Sequence, residues 1–293
     1  VHYSYKYIYY YISFVLQNIL TNSKQKYLYK YKSHIYTNNM PNHIGVLIPS
    51  TTRNRPWKTL EETTLFSIFI PSFFSTYCNQ FKYTIYLVID DDDPILTQPN
   101  TQERLEKYVS IMNNSTIKFI SASGIENGWV THMWNRAFKQ AYNDGCDYFF
   151  QSGDDIEFRS SGWVTDSITE LKRHQDIGLT GPLDYRRMHL GSKDSQPGGE
   201  RFLQTQSFVS RKHMEIFGFY FPEEIKNWFC DDWMTKVYYS KHFYQINHFA
   251  SNIGGEPRYE VIGEIMNPED PTFKACNRLI IEGQQILHDY CSK

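Results

Sequence analysis

The sequence predicts an α/β domain, built on a mostly parallel sheet flanked by helices and starting just after Met40. Three observations lead there. From His43 to Ser152, β-branched or aromatic runs alternate with helical stretches of about a dozen residues, the pattern of consecutive βαβ units. The runs are nearly continuous in apolar character, as expected of strands covered on both faces. Each run also stops at a cluster of small polar or acidic residues, and open parallel sheets bind ligands just beyond their strands' carboxyl ends.

The elements follow in order. "HIGVLIPS" (43–50) reads as the first strand, ending in Pro49 and Ser50. "TLEETTLFSIFIPSFFSTY" (59–77) reads as a helix that Pro71 kinks or divides. "YTIYLVIDDDDP" (83–94) is a strand that ends abruptly in four acids. "TQERLEKYVSIMN" (101–113) is a short amphipathic helix with Leu105, Val109 and Met112 on one face. "TIKFISAS" (116–123) gives the third strand. "GWVTHMWNRAFKQAYNDG" (128–145) gives a helix with Val130, Met133, Ala137 and Phe138 inward, closed by Gly145. "CDYFFQS" (146–152) is the fourth strand. Past Gly162 the alternation loosens. A helix at 163–172 precedes a strand in "IGLTGPLD" (177–184) and a polar, glycine-rich loop from Tyr185 to Glu200. "FLQTQSFVSR" (202–211) reads as a strand and "KHMEIFG" (212–218) as a short helix. A helix follows within 225–243, and "NRLIIEGQQILHDYC" (277–291) is a helical tail that packs back on the body. The expected layout is an extension over 1–40, one catalytic domain over 41–260 and the tail over 261–293.

Charge separates the extension from the rest. Residues 1–40 hold five lysines and no Asp, Glu or Arg, while the remainder holds 25 basic against 32 acidic groups. The overall net charge of −2 gives no basis for non-specific nucleic-acid binding. Ten of the 23 tyrosines precede Met40. The uncharged stretch from Tyr7 to Thr21 is too short and too polar for a confident membrane span. The extension is expected to be disordered or not native, the alternative being an interfacial or signal-anchor helix that would make the protein membrane-associated or lumenal. Five widely spaced cysteines with no C-x-x-C fit a reducing, cytoplasmic setting rather than a disulfide framework or zinc knuckle.

The chemistry is concentrated in acidic clusters. "FFQSGDDIEF" (149–158) delivers Asp154 and Asp155 to the end of the fourth strand, where two like charges repel unless a cation or hydrogen-bond donors offset them. A hard divalent ion, Mn2+ or Mg2+, takes oxygen ligands and commonly completes its shell with water and substrate phosphate. Asp155 and Asp154 are therefore the candidate metal ligands; the plainer reading has Asp155 capping a following helix and Asp154 merely exposed. Asp90 ends the second strand directly and can accept hydrogen bonds from a nucleobase or ribose, with Asp92 beside it. Asp231 and Asp232, inside "NWFCDDWM" (227–234), stand at a helix start, where one of them could cap and the pair could serve as a general base.

Taken in order, these features resemble a GT-A-fold glycosyltransferase, similar to the large inverting family 2 type. Pro49-Ser50-Thr51-Thr52-Arg53 is similar to that family's donor-binding turn, Asp90 matches its base-binding acid, and Asn135-Arg136-Ala137 with Ala141 matches its N-x-A helix. Gly153-Asp154-Asp155 matches the metal motif with glycine in place of the first acid, and no Q-x-x-R-W element follows. The resemblance implies Pro49, Ser50, Thr51, Arg53, Asp90, Asp92, Asn135 and Asp154 as donor-binding residues, and Asp232 or Asp231 as the base. It also implies His248 as a further metal ligand, and suggests Trp228 and Trp233 for the apolar face of an acceptor sugar. The donor would be a UDP- or GDP-linked sugar and the acceptor a glycan, protein or lipid. The alternatives are a haloacid-dehalogenase-like phosphatase, whose acids also end strands, and a nucleotide- or glycan-binding protein without turnover.

Overall fold

The computed structural model describes residues 41–185, 203–254 and 271–293. The expectations for residues 1–40, for the glycine-rich stretch from 186 onward and for 261–270 lie outside the described residues. Residues 41–293 cluster as one unit.

Five strands form the main sheet: β1 (His43–Ser50), β2 (Lys82–Ile89), β3 (Ser115–Ser121), β4 (Tyr148–Gln151) and β7 (Phe208–Ser210), in the order β3-β2-β1-β4-β7. The first four are parallel and β7 runs antiparallel against β4. A smaller sheet pairs β5 (Ile156–Phe158) and β6 (Leu183–Asp184) with β8 (Phe249–Asn252). Six of these eight strands were anticipated in some form, and two of those, near 177–184 and 202–211, are much shorter than the sequence suggests. The chain grows outward from β1 to β3, then returns to the other side of β1 as β4. That reversal creates a switch point between β1 and β4, where an open α/β sheet offers a crevice.

All eight residues of β1 are buried, which is why its sequence shows no polar alternation. Ile44, Val46 and Ile48 face one layer with Ile85, Leu87 and Phe150, and Leu47 faces the other with Tyr86, Val88 and Phe149. The first layer contains a 3-10 turn (Leu60–Glu62), a π-helical turn (Leu65–Phe69), α1 (Ile70–Thr76), α2 (Pro99–Ser110) and α4 (Trp163–Arg173). Pro71 lies in the first turn of α1, so it divides the expected helix rather than interrupting one. The second layer contains α3 (Val130–Asn143), α5 (Lys212–Phe217), α6 (Cys230–Tyr238) and α7 (Pro271–Cys291). Gly45 lets α3 lie close to β1: a Cβ there would stand 3.0 Å from the Ala141 methyl. Among the described residues no helix is long and apolar enough to cross a membrane.

Candidate functional site

The parallel register aligns Ser50 with Ile89, Ile89 with Ser121, and Leu47 with Gln151. The residues just beyond therefore share one edge. There the Ser50 hydroxyl donates to Asp154 Oδ2 at 2.5 Å across the switch point, and Asp154 is fully buried. Asp155 goes the other way, its carboxylate lying against the backbone of Gly254, where a Cβ would approach within 2.2 Å of Oδ2. The strand β5 follows it at once, so Asp155 does not cap a helix as the plainer reading had it. Trp134, on α3, donates its indole N–H to the Ser152 carbonyl at 3.2 Å and fixes the start of this turn.

The loops after β1 and β2 are tied together by Asp93. Its Oδ1 accepts from the Thr52 hydroxyl (2.8 Å) and from the Ile95 and Leu96 N–H groups (3.0 and 2.8 Å), while Oδ2 accepts from the Thr52 N–H (2.5 Å). Asp93 is thus an internal clamp and not part of a solvated acidic turn. Arg53, held by this clamp, extends between Asp90 (3.5 Å) and Asp92. Asp90 Oδ2, the oxygen that faces Arg53, is buried and makes no hydrogen bond in this arrangement, leaving it able to accept one. Beside them opens a cavity of 580 Å³ whose wall includes Arg53, Arg55, Trp57, Lys58, Asp92 and Asn127. Arg55 lies over the Trp57 ring, 5.6 Å from its centroid. Three cations and an aromatic face next to a carboxylate acceptor suit an anionic ligand carrying a flat ring. Trp57, Lys58 and Asn127 went unnoticed in the sequence, although "TRNRPWK" (52–58), a basic-aromatic run directly after a buried strand, was a usable signal.

The acidic helix start is brought to the same edge indirectly. Asn135 accepts from the Tyr220 and Phe221 N–H groups (3.0 and 2.8 Å) and donates to the Phe221 carbonyl (2.7 Å). Thr131, one turn earlier, donates its backbone N–H to the Lys226 carbonyl at 3.2 Å, and its hydroxyl, shared between the Ile225 and Lys226 carbonyls, donates to the same stretch. These bonds hold the segment that leads into α6. Asp231 and Asp232 lie in the first turn of α6, and no side chain caps that helix. Asp232 pairs with Lys236 at 3.0 Å, while the Cys230 thiol contacts Asp231 Oδ1 at 3.7 Å. Burial first, and the Asp231 charge second, push the Cys230 thiol well above its ordinary pKa, so it stays protonated and able to donate. His213 of α5 steadies α6 from behind. Its Nε2–H donates to the Tyr220 carbonyl at 3.0 Å, so its Nδ1 accepts from the Tyr238 hydroxyl at 2.7 Å.

Several sequence assignments need correction. Asn135 is bonded to the Tyr220 and Phe221 backbone and holds that loop, a structural task the sequence did not suggest. Trp233 is buried and donates its indole N–H to the Leu279 carbonyl of α7 at 3.1 Å, which makes it core; Trp228 is exposed, as an acceptor platform requires. His248 is bound to Asp166 (2.8 Å) and Ser160 (3.1 Å) at the far end of β8 from Asp155. Five residues of extended chain, roughly 16 Å, separate it from the Ile253 N–H that bonds the Asp155 carbonyl. The three-ligand set Asp154, Asp155 and His248 is therefore not assembled, and among the described residues no group of three His, Cys, Asp or Glu side chains could hold an ion. Pro49, Ser50 and Thr51 are buried and support the edge without lining the cavity, whereas Arg53 and Asp92 line it.

No protein-family model and no curated protein sequence matches the chain. Solved structures do match it. Staphylococcus aureus TarS superposes with a TM-score of 0.50 at 14% identity, over 85% of this chain and 43% of that one. TarS 1–349 in complex with UDP gives 0.51 at 16% identity, over 85% and 70% of the two chains. TarS 1–349 in complex with UDP-GlcNAc gives 0.53 at 16% identity, over 85% and 71%. The chain spans less than half the length of the first of these. At such identities the match establishes the fold, which is the GT-A type.

Proposed function

We propose that the chain is a glycosyltransferase that moves a sugar from a nucleoside-diphosphate sugar to an acceptor hydroxyl, with inversion at the anomeric carbon. One observation carries the reading: a cationic, aromatic-walled cavity and a strand-end carboxylate able to accept lie together beyond β1 and β2, while α3 holds the segment that leads into the acidic start of α6. Asp90 accepts from the base or ribose. Arg53, Arg55 and Lys58 attract the diphosphate and offset the charge that grows on it as the glycosidic bond breaks. Asp232, or its neighbour Asp231, removes the acceptor's proton, and the exposed Trp228 offers an apolar face to the acceptor sugar. Support for a uridine donor comes from the TarS complexes with UDP and UDP-GlcNAc, which share the fold; a GDP-linked donor is the alternative.

The donor set suits a hard divalent ion held mainly by substrate. Mn2+ and Mg2+ commonly bind through one or two carboxylates plus phosphate oxygens and water, and Asp155 is the carboxylate that fits. Such an ion would supply positive charge beside the leaving diphosphate. The five free thiols support a cytoplasmic setting. The acceptor is a hydroxyl of a glycan, protein or lipid.

The test is release of nucleotide from a panel of UDP- and GDP-sugars, with and without Mn2+ and acceptor mixtures. Nucleotide diphosphate is the expected product. Release of phosphate from simple esters instead would replace the reading with a phosphatase, and donor binding without turnover would reduce it to a binding protein.

A further inference from the structure

The segment leading into β7 carries polar groups that the fold itself does not use. Gln204 is almost fully buried, and its side-chain amide nitrogen donates to the carbonyls of Pro182 (2.9 Å) and Gln206 (2.7 Å). Carbonyls only accept, so the amide cannot be flipped, and its oxygen is fixed on the opposite side. That oxygen has no hydrogen-bond partner, and neither do Thr205 Oγ1 and Gln206 Oε1; all three are shielded from solvent. Unpaired polar atoms in a protein interior are costly, and they cluster where a ligand or water completes them. The backbone is shaped around them as well. Gly181 has φ +138°, and a Cβ there would stand 2.2 Å from the Gln206 carbonyl oxygen and 3.0 Å from Gln204 Nε2.

The place of this segment says what could complete it. Phe208 pairs with Phe150, and the Gln151 N–H donates to the Ser207 carbonyl at 2.9 Å. Residues 204–206 therefore come directly before the last bond to β4, whose own chain runs on into Ser152–Asp154. On its other side the Gln204 N–H donates to Thr235 Oγ1 at 2.8 Å, one helical turn beyond Asp231. Gln204 is therefore tied to Pro182 on one side and to α6, one turn from its acidic start, on the other, just ahead of the strand that pairs with β4.

We propose that Gln204, with Thr205 and Gln206 beside it, binds the hydroxyl or acetamido groups of the transferred sugar and helps to select which sugar is moved. The proposal rests on the nucleotide-sugar reading above. A fixed amide oxygen accepts and cannot donate, so a phosphate gains nothing from it, whereas a sugar hydroxyl or an acetamido N–H does. The donor is thereby oriented: diphosphate toward Arg53, Arg55 and Lys58 beyond β1 and β2, sugar toward Gln204 beyond β4. Because the unpaired atoms are shielded, the sugar reaches them after a local side-chain rearrangement.

Titration calorimetry on the full chain tests this, with UDP, GDP and their glucose, galactose, mannose, N-acetylglucosamine and N-acetylgalactosamine conjugates. The wild type is expected to prefer one sugar over another on the same nucleotide by about tenfold or more. Gln204→Met and Gln206→Met should flatten that preference about tenfold while leaving affinity for the free nucleotide within about twofold. Gln206→Met decides the matter if Gln204→Met, which also loses two structural bonds, does not fold. A wild type that does not distinguish sugars, variants that keep the preference, or variants that change only the acceptor's KM would each overturn the assignment. Absence of any nucleotide binding by the wild type would instead overturn the donor reading on which it rests.

Discussion

Replacing Asp93 with Asn tests whether one carboxylate joins the two loops that make the cavity. The side chain is 1% exposed and receives four hydrogen bonds at 2.5 to 3.0 Å, three on Oδ1 and one on Oδ2. In Asn one of those oxygens becomes an NH2 group. Placed at Oδ1 it would face two N–H groups and a hydroxyl, so the cheaper choice is Oδ2, where it meets the Thr52 N–H, donor against donor, and the Thr51 hydroxyl at a long 3.5 Å, which can turn to accept. One charge-assisted bond is lost, worth about 1.5–3 kcal/mol, and a buried N–H is left unpaired at roughly 1–3 kcal/mol more. Allowing for relaxation, Asp93→Asn should destabilise the protein by about 3 kcal/mol, a large part of a typical domain's stability of roughly 5–15 kcal/mol. Urea unfolding followed by circular dichroism measures it, with Asp91→Asn as the exposed control, expected within about 0.5 kcal/mol of wild type. Nucleotide affinity should also fall where the variant is still folded, because Arg53 follows Thr52 directly. Equal stability of the two variants would refute the clamp.

Three further outcomes are expected. Asp155→Asn should weaken Mn2+-dependent donor binding by about tenfold or more, about 1.4 kcal/mol, in calorimetry run with and without metal; unchanged affinity in both conditions would remove Asp155 as a ligand. Asp232→Asn should lower transfer by about 10^2 to 10^4-fold while donor affinity is kept, with Asp231→Asn assayed in parallel; wild-type rates in both would place the base elsewhere. Burial lowers the His213 pKa from 6.5 to about 4, so the unfolded chain takes up the proton first. The stability this confers is complete above about pH 6.5 and is lost as pH falls toward 4, about 3 kcal/mol in all. The urea midpoint should drop across that window in wild type and drop less in His213→Gln; identical curves would refute it.

How much of this was legible in the sequence depended on the range of the interactions. β1 to β4 were readable because a strand covered on both faces leaves an unbroken apolar run, and the polar clusters at their ends fell on one edge by topology alone. The small sheet was not. Ile156–Phe158 is three residues long and pairs with Phe249–Asn252 nearly a hundred residues later, and such pairing leaves no local period. That missed pairing is also why Asp155 could be read as a cap and His248 as its partner. Trp228 and Trp233 look alike beside the acids, and only the packing of α6 on α7 tells them apart: Trp233 faces Leu279 and Gly283. The loop-holding task of Asn135 was not legible either, since its amide bonds to backbone that becomes its neighbour only on folding.

The adjacent acids at the end of β4 now have a physical account. They do not share a direction: Asp154 turns inward to the Ser50 hydroxyl, and Asp155 turns out toward Gly254. The Ser50 hydroxyl serves Asp154 as a hydrogen-bond donor, which leaves Asp155 as the acid turned outward where β4 ends. Arg53, Arg55 and Lys58 outnumber the one acid, Asp92, in the wall of the neighbouring cavity. A ligand that suits both ends needs an anionic part for the cavity. It also needs hydroxyl donors, or a cation carried on its own phosphates, for the acidic side. A nucleoside-diphosphate sugar has these parts in that order. A simple phosphate ester offers an anion to the cavity but no polyol to the acidic side. The residue types along this edge therefore accord better with the proposed nucleotide-sugar donor than with a simple phosphate ester.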